Sequence, residues 1–236
     1  MTAVYAITKR ELRTYFNSPV AYIVAIVYML LAGFFFFSTV FIERQAEMRG
    51  YFGLAPILFT FIAPAITMRL LAEEKGSGTL ELLITKPIRD WEVVVGKYLG
   101  AIGMLAVIVL LTLSYAITLA ALGDLDKGPV IGGYLGLLLM GGAYVAIGVM
   151  TSALTRNQIV AFILAFAISF ALYLFGQIVQ IVPPSLQPLL NFLAMGNHFE
   201  AIGRGVIDSR DVLYYLSVIA ISLVIATVSL ESRKWK

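Results

Sequence analysis

The sequence has no cysteine, a single histidine and few charged residues, and each shortage excludes a class of function. Without cysteine, a disulfide framework, a thiolate nucleophile and a cysteine-ligated metal are all impossible. The histidine, His198, stands near one glutamate, Glu200, and such a lone histidine is far more often a surface or capping residue than a metal ligand. Only 13% of the residues are charged, against about 25% in soluble domains, whereas 60% are hydrophobic. The natural solvent of this chain is a lipid bilayer.

Six uncharged windows have the length of a membrane-spanning helix, which needs roughly 20 apolar residues. They are Val20–Ile42, Tyr51–Met68, Tyr98–Leu122, Val130–Leu154, Gln158–Val182 and Val212–Leu230. We therefore predict an all-α polytopic membrane protein whose residues 20–236 form a single domain of six transmembrane helices. Pro56 and Pro64 predict a kink or local unwinding in the second span.

Basic residues predict the orientation of the six spans. If the N-terminus lies inside the cell, twelve lysines and arginines fall on inner segments and five on outer segments. This bias places both termini in the cytoplasm. It predicts a multi-pass protein of the cell membrane, and we expect the bacterial plasma or inner membrane.

Two further segments accompany the spans. Residues 1–19 interleave apolar and basic side chains, which predicts an amphipathic helix along the inner membrane surface. That helix is either a basic topological anchor or a functional elbow-like helix. Residues 183–211 contain an apolar run too short to span, which predicts a reentrant-like segment at the outer leaflet. Within it, Asn197 and Glu200 have the spacing of a capping box and predict a short helix to Gly205.

Small residues recur at helical spacing in two places. Gly96 is followed by Gly100, and Gly132 by Gly136, with Gly141 next. This spacing is typical of close helix packing. We favour packing within one subunit over a dimer interface.

The sequence carries no recognisable enzyme chemistry. Gly96-Lys97 is followed by Tyr98, and the preceding residues do not form a phosphate-binding glycine loop. The six windows hold no aspartate, glutamate, lysine, arginine or histidine, which argues against a proton-coupled carrier. The small net charge of +3, without a basic run, argues against nucleic acid. We expect no catalytic, metal or cofactor site on this chain, and a membrane enzyme with an unrecognised site is the weaker alternative.

The polar insert between the second and third spans, residues 69–97, holds ten charged residues of both signs. Its first part, through Glu73 and Glu74, can continue the second span as a helix. Gly76 and Gly78 must stop that helix, because each glycine costs about 1 kcal/mol in a helix interior. A segment that only connected the second and third spans could be much shorter.

A short amphipathic helix follows the glycines. Thr79 can cap it, and Glu81 lies in its first turn, where an anion suits the helix dipole. Leu80, Leu83 and Ile84 share one apolar face. After the helix is closed by Thr85-Lys86-Pro87, Asp90 is the predicted N-cap of the helix that enters the third span.

The run Glu73–Leu83, followed by Thr85-Lys86-Pro87 and Trp91–Lys97, resembles the cytoplasmic segment of ABC-2-type ABC transporter permeases. The likeness covers nearly the whole chain, with a basic N-terminal helix, six spans and a reentrant-like outer segment. It is closest to the small permeases grouped with gliding-motility ABC transporters, whose corresponding segment is similar to Gly205–Asp211.

The resemblance implies a transmembrane permease subunit, an exporter, that pairs with a second copy or a paralogue. A separate ATPase subunit would hold ATP and Mg, and Thr79–Ile84 would be the coupling helix seated on it. The implied docking residues are Glu73, Glu74, Gly76, Gly78, Thr79, Leu80, Glu81, Leu83 and Ile84. Related systems often add a membrane subunit with a large external domain. The alternative is a non-transporting mechanotransmission subunit that uses the same ATPase to act on an external or membrane partner.

Overall fold

We describe a computed structural model of the chain, which defines residues 2–42, 47–79, 88–123 and 126–232. Those residues form helices and connecting turns, with no strand among them. The helices are α1 (Thr2–Asn17), α2 (Pro19–Ile42), α3 (Arg49–Thr67), α4 (Ala72–Gly76), α5 (Asp90–Leu111), α6 (Leu113–Leu122), α7 (Lys127–Leu154), α8 (Gln158–Ile178), α9 (Gln187–Leu193), α10 (Met195–Gly203) and α11 (Ser209–Glu231). The predicted all-α architecture is confirmed.

Six helical stretches within the described ranges are long and apolar enough to cross a membrane, and each overlaps one of the six predicted windows. They are α2, α3 with α4, α5 with α6, α7, α8 and α11. The most apolar part of α7 is 72% buried, whereas that of α8 is only 17% buried. The bundle is therefore built around α7, and α8 turns most of its surface outward.

Side-chain hydrogen bonds show which helix ends share each end of the bundle. Tyr15 of α1 donates to the carbonyl of Ile66 at the end of α3, at 2.8 Å. Ser229 near the end of α11 donates to the carbonyl of Ala153 at the end of α7, at 2.9 Å. We call this end the α1 face. At the opposite end, the α10 face, Tyr215 of α11 donates to the carbonyl of Met195, at 2.8 Å.

Helix α1 packs along the first half of α5, because α5 presents glycines there. A Cβ placed on Gly96 would stand 2.8 Å from Cβ of Ile7, and one on Gly100 would stand 2.6 Å from Cβ of Glu11. Real Cβ atoms do not approach this closely, so the two helices touch only because these positions lack side chains. For this pair of glycines, the predicted packing within one subunit is confirmed.

The second span is interrupted at a different place from the one predicted. Helix α3 runs through Pro56 and Pro64 without a break, so local unwinding at the prolines is wrong. A missing backbone donor is tolerated in a membrane helix when neighbouring elements pack around it, and α3 is enclosed by α2, α7 and α8. The helix ends at Thr67 instead, and a turn separates it from α4.

The third span begins earlier than predicted and is broken at Thr112. Tyr134 of α7 donates to the Thr112 carbonyl at 2.7 Å, and Tyr51 of α3 donates to its hydroxyl at 3.1 Å. The Thr112 hydroxyl in turn donates to the carbonyl of Val109 at 2.7 Å. These side chains satisfy backbone groups that the break releases, and thereby permit it inside an apolar bundle.

The predicted capping box on the reentrant-like segment is wrong. Helix α10 begins at Met195, with Ala194 as its N-cap, so Asn197 lies inside the helix. The Asn197 amide donates to Asn191 at 3.0 Å, and Glu200 pairs with Arg204 one turn later at 3.0 Å. The backbone is extended at Ala194 and becomes helical at Met195. Both residues are fully buried, so their packing against the bundle places the start of the helix there.

Candidate functional site

The turn between α3 and α4 is held by a single serine of α7. The Ser152 hydroxyl accepts hydrogen bonds from the backbone nitrogens of Leu71 and Ala72, both at 3.0 Å. The same hydroxyl donates to the carbonyl of Met68 at 3.1 Å. A hydroxyl has one donor and two acceptor sites, so Ser152 uses its full capacity. The expected continuous helix from the second span through Glu74 is therefore wrong, because Ser152 satisfies a break at 68–71.

A tyrosine of α1 holds the end of α3 at the same turn. The Tyr15 hydroxyl donates to the carbonyl of Ile66, which has lost its helical partner because the Leu70 nitrogen bonds to Thr67 instead. Burial raises the pKa of Tyr15 above its usual range, and the nearby charge of Glu11 adds to the rise. The hydroxyl therefore keeps its proton and remains a donor.

Helix α4 lies against the end of α7. The Lys75 ammonium donates to the carbonyl of Ala153, one of the carbonyls that a helix leaves unpaired at its C-terminus. A Cβ on Gly76 would stand 2.9 Å from the carbonyl oxygen of Arg156, so glycine permits this approach. Helix α4 ends at Gly76, and Gly78 follows with φ +73°. The predicted helix stop at these two glycines is confirmed.

A buried lysine joins α4 to α1 and α5. The Lys97 Nζ lies 3.1 Å from Oε1 of Glu11 and 2.9 Å from Oε1 of Glu74. Nη2 of Arg10 lies 2.7 Å and 3.0 Å from the same two oxygens. The Lys97 side chain is only 1% exposed, whereas that of Arg10 is 48% exposed. We call Arg10, Glu11, Glu74 and Lys97 the Lys97 cluster.

The charges in the Lys97 cluster balance, and each ion has a partner of opposite sign. Burial alone would lower the pKa of Arg10, but its hydrogen bonds and charge contacts with Glu11 and Glu74 outweigh burial and raise it. Removal of one member of such a buried cluster leaves an uncompensated charge, which typically costs about 3–5 kcal/mol.

A cavity of about 400 Å³ opens beside the cluster on the α1 face. Its polar wall includes Arg10, Glu74 and Lys97, and its apolar wall includes Val24 of α2 and Met104 of α5. No group of three or more histidine, aspartate or glutamate side chains that could hold a metal occurs in the described part of the chain.

The start of α5 differs by one residue from its predicted position. Arg89 is the N-cap, and its backbone nitrogen donates to the Glu92 carboxylate at 2.9 Å. Asp90, the predicted cap, is the first helical residue and is buried. Glu92 supplies the carboxylate instead, because its side chain reaches back to the N-cap in the manner of a capping box.

The predicted docking residues divide between described and undescribed positions. Glu73 pairs with Arg69 at 2.9 Å on the surface, and Glu74 belongs to the Lys97 cluster. The Thr79 hydroxyl lies 2.9 Å from that of Ser77. Leu80, Glu81, Leu83 and Ile84 lie outside the described residues. The docking role of the whole set stays a prediction.

Sequence reasoning missed Ser152, Tyr15 and Lys97 as parts of this site. For Lys97, a signal was present: it is the last charge before a long apolar span, and Gly96 and Gly100 flank it. For Ser152 the sequence held no such signal, since a serine near the end of a span has many ordinary roles.

On the α10 face, the histidine His198 contacts Asp211 and not Glu200, the acidic residue near it in the sequence. Nδ1 of His198 lies 2.7 Å from Oδ1 of Asp211, and Nε2 lies 2.9 Å from the carbonyl of Phe192. The ring stacks on Tyr214 with centroids 4.0 Å apart. The histidine thus joins α9, α10 and α11.

Comparison with known proteins agrees with this architecture. Among curated proteins, none matches the chain. Residues 1–235 match the family described as ABC-2 family transporter protein, which is nearly the full length. Six helices long and apolar enough to cross a membrane, among the described residues, are consistent with a multi-pass membrane permease. The chain belongs to the ABC-2 family of transporter proteins.

Proposed function

We propose that this chain is the permease subunit of an exporter, and that a separate ATPase drives it through the segment between α4 and α5. The family match supports a transporter permease. The absence of a phosphate-binding glycine loop from the sequence implies that ATP is bound on another chain. The permease itself supplies the path across the membrane and the contact that receives the force.

The observation that carries the proposal is the attachment of the segment at both ends. On the α4 side, Ser152 holds the turn before the segment and the Lys97 cluster holds the helix. On the α5 side, Glu92 caps the first turn. A displacement of the segment would therefore reach α1, α3, α5 and α7 through hydrogen-bonded contacts rather than through a loose loop.

The α1 face is the cytoplasmic side in this proposal. The basic residues predicted for inner segments outnumber those of outer segments by twelve to five. ATP is available on that side. The segment would then meet its ATPase in the cytoplasm, and α9 and α10 would lie at the outer leaflet.

Within the segment, Thr79–Ile84 is the proposed coupling helix. Leu80, Leu83 and Ile84 would insert into a groove of the ATPase, as apolar anchors at helical spacing do in helix-in-groove recognition. Glu73 and Glu81 would pair with basic residues at the rim, where a charge mainly affects the association rate.

The test is co-purification with an ABC ATPase, sought first among the products of adjacent genes, followed by measurement of ATP hydrolysis. Leu80→Asp and Leu83→Asp should leave the permease inserted but lower ATPase recovery or stimulation at least tenfold, because a charge enters an apolar contact. Leu186→Asp, at an exposed leucine before α9, is the matched control and should change neither. Wild-type recovery and stimulation in both Leu80→Asp and Leu83→Asp would contradict the coupling role.

A further inference from the structure

We propose that Lys97 is a positioning residue that makes the N-terminal helix α1 part of the coupling path, an inference that rests on the proposed function. Its single ammonium contacts one carboxylate on α1, Glu11, and one on α4, Glu74, at 3.1 and 2.9 Å. Lys97 itself belongs to α5. One side chain therefore connects three helices at the place where force would enter the bundle.

The ion contacts supply a link that apolar packing does not. Helix α1 already packs on α5 through the glycines at 96 and 100, and α4 packs against α7 and α8. The contacts of Glu74 with Lys97 and Arg10 join α4 to α1 and α5. Loss of the ammonium would leave α4 attached to α7 and weaken its attachment to α1.

The energetics of the cluster favour a role beyond stability. A buried ion pair usually contributes no more stability than apolar side chains of the same volume, because both ions lose their water. In this cluster, Oε2 of Glu74 is also buried without a hydrogen-bond partner in the part of the chain described, which is uncommon in folded proteins. That oxygen adds to the cost of burying the cluster, so stability alone does not account for these four residues.

The predicted consequence is that α4, α1 and the start of α5 move as one body. When the ATPase displaces the segment after α4, the contacts of Glu74 with Lys97 and Arg10 carry α1 along with it. If only α7 were attached to α4, the displacement would bypass α1. The first half of α5 would then receive the motion only through the segment itself.

The decisive variant removes every ion contact of α1 with α4 and α5 without leaving a buried charge. In Arg10→Gln combined with Glu11→Gln, the charge remains balanced, because Lys97 and Glu74 keep their 2.9 Å contact. This variant should unfold at the wild-type temperature and recover the ATPase normally, yet show at least fivefold lower ATPase stimulation. Lys97→Arg should retain more than half of the stimulation. Arg204→Gln, which breaks an exposed ion pair, should match the wild type.

A second readout reports movement directly. Since the chain has no cysteine, spin labels can be placed on the exposed positions Lys9→Cys, on α1, and Ser77→Cys, directly after α4. The distance between the labels should stay constant through the ATP cycle in the parent chain and change in the Arg10→Gln/Glu11→Gln background.

The outcomes separate this inference from the proposed function. Undiminished stimulation in the double variant, or a constant label distance in it, would overturn the role of Lys97 while leaving the permease assignment intact. Failure of the unsubstituted chain to recover any ATPase would overturn the proposed function, and this inference with it. If stimulation falls only in Lys97→Met alone and recovers in the double variant, the cluster is structural and the inference is wrong.

Discussion

The hydroxyl of Ser152 lies 3.0 Å from the backbone nitrogen of Leu71, 81 residues away in the sequence. This contact ties the end of the central helix α7 to the turn that follows α3. Through the Ala72 nitrogen, the same hydroxyl also fixes the first residue of α4. The direction in which α4 leaves the bundle is therefore set by a residue of another helix, which is an arrangement suited to passing a displacement between them.

Ser152→Ala should destabilise the protein by about 1–3 kcal/mol, because two buried backbone donors and one acceptor lose their partner. The unfolding temperature in detergent measures this loss. Ser114→Ala is the matched control, since the Ser114 hydroxyl bonds to the carbonyl of Leu111 in its own turn and is exposed. Equal unfolding temperatures for the two variants would show that the turn does not depend on Ser152.

Gly100→Ala should loosen α1 from α5, because the new methyl would stand 2.6 Å from Cβ of Glu11. Overpacking of this kind typically costs about 1–3 kcal/mol. Release of α1 would expose Ile7, which is 5% exposed in the fold. An Ile7→Cys variant should therefore react faster with a water-soluble maleimide when Gly100→Ala is also present.

The control for that substitution is Gly53→Ala on α3. Nothing lies within 4 Å of a Cβ at Gly53, and the backbone there is helical. The change should be neutral or slightly stabilising, because alanine restricts the unfolded chain. If both alanine variants label Ile7→Cys at the same rate, close packing at Gly100 does not hold α1.

Local features of this fold could be predicted from the sequence, and contacts between distant segments could not. The six apolar windows specify six spanning helices because burial in lipid depends on each window alone. Gly76 and Gly78 likewise end α4 through their own backbone preferences. By contrast, the contact of Lys97 with Glu11 spans 86 residues, and no local pattern selects that partner.

The two helix breaks illustrate the same division. Prolines at 56 and 64 predicted a kink or local unwinding, and α3 shows no unwinding because it is continuous across both of them. The interruptions occur after Thr67 and at Thr112, where hydroxyls from other helices are available to the released backbone groups. Whether a membrane helix breaks thus depends on neighbouring side chains that can hydrogen-bond to the released backbone groups. A single sequence does not reveal which side chains those are.

Thr112→Val should remove the hydroxyl while keeping the shape of the side chain. Tyr51 loses one of its two partners, and the Val109 carbonyl loses its side-chain donor. Interhelical hydrogen bonds in membranes contribute about 0.6 kcal/mol on average and up to about 1.7. We expect the free energy of unfolding to fall by that amount, which lowers the unfolding temperature. The Thr118 hydroxyl bonds to Ser114 in its own helix, so Thr118→Val should lower the free energy of unfolding less. A larger loss in Thr118→Val than in Thr112→Val would contradict the role of Thr112.

His198→Phe should weaken the attachment of α9 and α10 to α11. Phenylalanine keeps the stacking on Tyr214, whereas Asp211, which is 9% exposed, loses its ring partner at 2.7 Å. Because hydrogen bonds to charged groups contribute about 1.5–3 kcal/mol, we expect the free energy of unfolding to fall by about 2 kcal/mol.

Glu200→Gln is the control for the histidine. It breaks an ion pair whose two side chains are more than 70% exposed, so the change should stay within about 0.5 kcal/mol. Thermal unfolding of both variants in the same detergent gives the comparison, and limited proteolysis of residues 183–211 reports the release of α9 and α10 directly. If His198→Phe unfolds and resists proteolysis like Glu200→Gln, the attachment of α9 and α10 does not depend on the contact between the histidine and Asp211.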